Sequence, residues 1–178
     1  MVSSSWMNEF FANITRQIDA AGWSVVYVGG GSCDIPGCRT EHQSDLVELG
    51  LPPYGYTVGL PLGFDHAELV LVGLDQERTV LVLNGIAHAV AEGAQLKPDD
   101  LLEVEGAPMK VGPCAVSRVR DGLVAVSMDY HWEIGHPSLP NPLQIMWPDP
   151  HGRFPGDPRL GRHARRAQPL LSRPRPRR

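Results

Sequence analysis

Residues 54–72 read Tyr54-Gly55-Tyr56-Thr57-Val58-Gly59-Leu60-Pro61-Leu62-Gly63-Phe64-Asp65-His66-Ala67-Glu68-Leu69-Val70-Leu71-Val72. Two runs rich in β-branched and aromatic residues flank a centre of Pro, Gly and Asp, which predicts strands over 54–60 and 68–72 joined by a turn at 61–65. No helix of crossover length separates these strands, and strands elsewhere do not alternate regularly with helices. A doubly wound parallel sheet is therefore a poor match. The expected fold is a single α+β domain, a mixed and largely antiparallel sheet with two or three packed helices.

Working outward, residues 4–21 carry Trp6, Phe10, Phe11, Ile14 and Ile18 at helical spacing, with serines before them and Gly22 as a stop. Trp23 to Val28 reads as a strand ending at Gly29-Gly30-Gly31, followed by a long loop to about Pro53. Asp75 is placed to cap a helix over 76–92, with Val80, Leu83, Asn84, Ala87 and Val90 on one face and Gly93 at its end. Short strands are expected over 101–104 and 109–111. Residues 116–132 fit a helix broken at Asp121-Gly122, and residues 143–147 fit a last strand ended by Pro148.

Composition excludes several classes of function. The chain has 178 residues, 42% hydrophobic and 20% charged, and no apolar run approaches the roughly 18 residues of a membrane span. Its start lacks a basic region followed by an apolar stretch and a cleavage site, so a cytoplasmic protein is expected. The net charge of −4 hides an asymmetry: half of the 16 basic residues lie from Arg159 onward, where there is no acid. Residues 1–158, read as the domain, thus carry a formal charge of −12. Such a body disfavours nucleic acid. The tail 159–178 is rich in Arg and Pro; it suits weak electrostatic contact with nucleic acid or an acidic partner, its last six residues read as disordered, and Gln168-Pro169-Leu170-Leu171 is an apolar patch fit to dock.

Tyr56, Thr57, His66 and Glu68 place polar groups within or beside apolar strands, and Gln144-Ile145-Met146-Trp147-Pro148-Asp149 does the same far along the chain. A buried polar group without a partner costs about 1–3 kcal/mol, so each needs one. If the two segments face each other, Tyr56, Thr57, His66, Glu68, Gln144 and Trp147 line a polar ligand pocket near Phe154; the competing reading is a hydrogen-bond network that fixes the strands. His66 and Glu68, two apart on an extended chain, also suit a base and its orienter, or else a turn satisfied by its own backbone. Cys33, Cys38 and His42 are the most metal-like cluster, three local ligands for zinc where a closed site needs four. Three cysteines make no disulfide framework. His131, Trp132 and His136 form an aromatic cluster near Glu133 that reads as a surface turn or core edge.

The segments Tyr56-Thr57-Val58-Gly59-Leu60 and Gln144-x-x-Trp147-Pro148-Asp149-x-x-Gly152-Arg153-Phe154-Pro155, with His66-Ala67-Glu68-Leu69, Gly73-Leu74, Leu83-Asn84 and Gln168-Pro169-Leu170-Leu171 between and after them, resemble a bacterial family, domain of unknown function 4262. The likeness covers about residues 20–171. It implies a small single-domain cytoplasmic protein and assigns no catalytic residue; the 33–42 loop is an insertion relative to the family's usual short link. Two functions are weighed from these residues. One is a small-molecule or protein binding module with the polar pocket described. The other is a metal-assisted or His/Glu-dependent hydrolase using His66 and Glu68, with zinc at Cys33, Cys38 and His42.

Overall fold

The computed structural model describes residues 4–29, 51–136 and 138–173. In chain order the elements are α1 (Ser4–Ala21), β1 (Ser24–Val28), β2 (Tyr54–Val58), α2 (Leu60–Gly63), β3 (Leu69–Val72) and α3 (Gln76–Ala91). They continue with β4 (Leu101–Val104), β5 (Ala107–Pro113), α4 (Val116–Arg120), α5 (Ala125–Glu133), β6 (Leu143–Met146) and α6 (Arg162–Ala167). The strands form one six-stranded sheet in the order β1-β2-β3-β6-β5-β4. Every neighbouring pair is antiparallel except β3 with β6. The α+β domain with a mixed, largely antiparallel sheet is thus present as expected.

Both faces of the sheet are covered, and the alternation of side chains along each strand decides what goes where. Leu69 and Leu71 of β3 and Ile145 of β6 pack against Leu83, Ile86, Ala87 and Val90 of α3. On the opposite side Val70 and Val72 join Tyr54, Tyr56 and Val58 of β2 under Ile14 of α1, Leu123, Val124, Tyr130 of α5 and Leu171. All four residues of β3 are wholly buried. Each such side chain contributes about 1.5–3 kcal/mol of burial, which is why this strand reads as an unbroken apolar run rather than an alternating one.

Several boundaries move for physical reasons. The second strand stops at Val58, because Gly59 adopts φ 115° and turns the chain into α2, so the expected loop at 61–65 is mostly one helical turn with Pro61 in it. The helix over 116–132 is broken at Asp121-Gly122 as expected, into α4 and α5, with Gly122 at φ 97°. In α3 the Asp75 carboxylate accepts the Arg78 N–H at 2.9 Å, as a cap should. Its buried face differs from the expected one: Thr79, Val82 and Ile86 are buried with Leu83, Ala87 and Val90, while Val80 and Asn84 lie at the margin. Asn84 is held there by the Trp23 indole, whose Nε1 donates to Asn84 Oδ1 at 2.9 Å. No helix among the described residues is long and apolar enough to cross a membrane.

Candidate functional site

Where β3 begins, the chain supplies a carboxylate to the sheet face that α5 covers. Glu68 is 1% exposed. Its backbone carbonyl accepts from Leu143 N at 2.8 Å and so fixes the start of the β3–β6 pairing. Moving a carboxylate out of water costs several kcal/mol unless donors replace the water. Three do. Thr57 Oγ1 donates to Oε2 at 2.6 Å, while Gly59 N at 2.7 Å and Ser127 Oγ at 3.0 Å donate to Oε1. Thr57 in turn accepts from Leu69 N at 2.9 Å, using both halves of its hydroxyl. Gly59 has to be glycine to aim its N–H here, since its positive φ is strained for any L side chain and a Cβ would meet Ile18 and the Gly22 carbonyl.

His131 completes the cluster. Its Nε2 lies 3.5 Å from Glu68 Oε1, and the ring is 1% exposed. Neither ring nitrogen makes a hydrogen bond, so this imidazole is buried with its polar capacity unspent. Leaving such a group without a partner costs about 1–3 kcal/mol. Tyr56 stands next to the cluster: its hydroxyl accepts Val126 N–H at 3.3 Å, serving the first turn of α5, which has no side-chain cap of its own. Burial, and next the neighbouring Tyr54, push the Tyr56 hydroxyl well above the usual phenol range, so it acts as a neutral group.

Beside Glu68 there is a cavity of about 120 Å³. Glu68 shares its walls with Val119, Val124, Met128, Leu139, Pro140 and Pro142. Among the described residues Glu68 is thus the one charged residue lining a cavity whose other side chains are apolar, with Leu139, Pro140 and Pro142 of the loop between α5 and β6 on one side.

The structure brings Tyr56, Thr57 and Glu68 together and sends His66, Gln144 and Trp147 to other tasks. Leu96 N donates to His66 Nε2 at 3.2 Å, which leaves the proton on Nδ1, donating to Ala67 O at 2.7 Å. Both nitrogens of His66 are thus committed to backbone, and its ring pins the loop after α3. Gln144 Nε2 donates to Pro169 O at 2.9 Å, and its Oε1 accepts Leu171 N at 2.8 Å. Trp147 exchanges a pair of bonds with Gln168, each 2.8 Å, and its indole donates to Val72 O at 3.0 Å. Gln144 and Gln168 together dock residues 168–171 on the sheet face opposite α3, with Leu171 wholly buried. Gly73 permits this approach: it has φ 88°, and a Cβ there would collide with the Ala167 carbonyl.

Sequence reasoning missed Ser127, and it grouped His131 with Trp132 and His136 at a surface turn or core edge, whereas His131 is buried beside Glu68. A usable signal was there, for two polar residues four apart share one helix face with Leu123 and Val124 just before them. Cys33, Cys38 and His42 lie outside the described residues. Among the described residues no group of three or more His, Cys, Asp or Glu could hold a metal ion. Cys114 is a buried free cysteine whose thiol is pushed up to about 12 by burial.

Fold and site define a class: a single-domain α+β protein whose sheet is covered on both faces and which buries an acid, two hydroxyls and an imidazole between that sheet and a helix. The chain belongs to the family described as Domain of unknown function (DUF4262), which matches residues 17–161. That stretch includes every residue of the Glu68 cluster. No curated protein and no solved structure matches the chain.

Proposed function

We propose that this protein is a binding module for a small molecule with a cationic or hydrogen-bond-donating head on a short apolar body. The observation that carries the reading is that Glu68 lines a 120 Å³ cavity whose other side chains are apolar. Oε2 accepts one bond from the protein, so it retains a lone pair for a ligand donor. An apolar cavity of about 150 Å³ holds benzene, so this one suits a ligand of about five or six heavy atoms. At the usual ceiling per atom, affinity for such a ligand would not exceed about the micromolar range.

The His/Glu-dependent hydrolase is the weaker reading. A nucleophilic serine needs its hydroxyl on the imidazole, whereas Ser127 and Thr57 both donate to Glu68. His66, the base of that alternative, has both nitrogens on the backbone.

The test is calorimetric titration with butylamine, butanol and butyrate. Butylamine should bind best and butyrate not at all, and Glu68→Gln should weaken butylamine by about tenfold or more, the value of a charge-assisted bond. Equal binding of butyrate, or an undiminished amine affinity in Glu68→Gln, refutes the proposal.

A further inference from the structure

A second cavity, of about 470 Å³, lies between α4, the 155–158 loop and α6. It falls in the range of small-molecule sites, about 300–1,000 Å³. Among the described residues its walls include three arginines, Arg118, Arg165 and Arg173, and a single acid, Asp157. Arg118 is the informative member, because arginine is seldom buried and this one is 7% exposed in the cleft wall. Its Nε donates to Arg173 O at 3.2 Å, tying α4 to the end of the docked C-terminal segment. Arg165 comes from the other side, where its Nη2 donates to Pro158 O at 2.5 Å.

The acid in the cleft is already committed. Arg159 holds Asp157 through Nε at 3.1 Å, Nη2 at 2.9 Å and its backbone N–H at 2.8 Å. The same loop forms the wall of an adjoining cavity of about 570 Å³ that adds Lys110, Arg153 and Arg159, with Lys110 paired to Asp99 at 2.9 Å. On a body whose formal charge through residue 158 is −12, this concentration of cations is local and opposite in sign. Local charge of that kind attracts anions whatever the net charge.

We infer that the cleft between α4, the 155–158 loop and α6 binds a small phosphate monoester. Arginines of α4, α6 and the C-terminal segment line the cleft together, and several cations around one cleft suit the double charge and several acceptor oxygens of a phosphate better than a singly charged carboxylate served by one fork. Leu160, Leu170 and Pro169 in the same wall offer apolar surface to the ester's organic part. This site is separate from the Glu68 cavity, shares no lining residue with it, and its ligand is opposite in charge.

The experiment is titration of the full chain with phenyl phosphate, benzoate and inorganic phosphate at low ionic strength, read by calorimetry. Phenyl phosphate should bind at one site per chain, more tightly than either other probe, and more weakly as salt rises. Arg165→Ser and Arg173→Ser, both at exposed side chains, should each weaken it by about tenfold, and Arg78→Ser on the far helix α3 should leave it unchanged. Absence of saturable binding, equal affinity for benzoate, or an equal loss in Arg78→Ser overturns the inference. Circular dichroism of each variant guards against unfolding.

Discussion

Replacing Gln144 by leucine should release the C-terminal segment from the sheet. The substitution keeps the volume and removes both amide partners, leaving Leu171 N without its 2.8 Å acceptor and Pro169 O without its 2.9 Å donor. The Leu171 N–H is buried, so losing its acceptor costs about 1–3 kcal/mol. Pro169 O is half-buried and can recover part of its bond from water, so it adds about 0.5–1.5 kcal/mol. The sum, about 1.5–4.5 kcal/mol, rivals the roughly 1.5–3 kcal/mol that burying Leu171 returns. The segment should therefore detach part of the time while the sheet survives. Thermal unfolding should drop by roughly 3–18 °C. Hydrogen exchange at Ala115, whose N–H bonds Leu171 O at 2.8 Å, should accelerate more than exchange within β3. A loss below about 0.5 kcal/mol with unchanged exchange at Ala115 would refute the assignment of Gln144 as the clamp, because a surface change is worth that much.

Further outcomes follow from the buried groups. Thr57→Val removes the hydroxyl that serves both Glu68 and Leu69 N, and should destabilise by about 2–4 kcal/mol in urea unfolding, while Thr57→Ser should recover most of it. His131→Leu should leave stability unchanged or raise it by about 1–3 kcal/mol, since it removes two nitrogens without hydrogen bonds, and should weaken amine binding, the opposition expected of a functional residue. Cys114, with its pKa raised to about 12, stays a protonated thiol until pH rises towards that value. In peptide mapping after alkylation at neutral pH it should be unmodified in the folded protein and modified once urea unfolds it.

The parts of this fold that could be read from sequence are those fixed by near neighbours. α1 is one: its aromatic and aliphatic residues recur at helical spacing, and Gly22 ends it with φ 93°. The strands β2 and β3 are another, because a short Pro-Gly link forces them to meet. Helix faces were harder. Val80 and Asn84 fit the apolar stripe of α3, yet the face is set by the strands it crosses, and Trp23, 61 residues away from Asn84, holds that side chain at the margin.

The polar residues in apolar strands were visible as groups in need of partners, and their partners were not. Ser127 lies 59 residues from Glu68, in a segment with mixed helix and strand patterning. The groups that satisfy Gln144 and both nitrogens of His66 are backbone atoms, which carry no side-chain signature at all. Tyr56, Thr57 and Glu68 were therefore recognisable as polar groups needing partners, whereas the division between clamp and cavity needed the three-dimensional arrangement.

The most direct measurement is methyl-resolved NMR of the full chain during butylamine titration, following Met128 and Val119 in the cavity wall against Met7 and Leu81, which are exposed elsewhere. Saturable shifts at Met128 and Val119 that vanish in Glu68→Gln, with Met7 and Leu81 unmoved, are the predicted result. Shifts spread evenly over all four residues, or unchanged at the cavity methyls while the amine is in excess, would contradict the claim that Glu68 anchors a ligand.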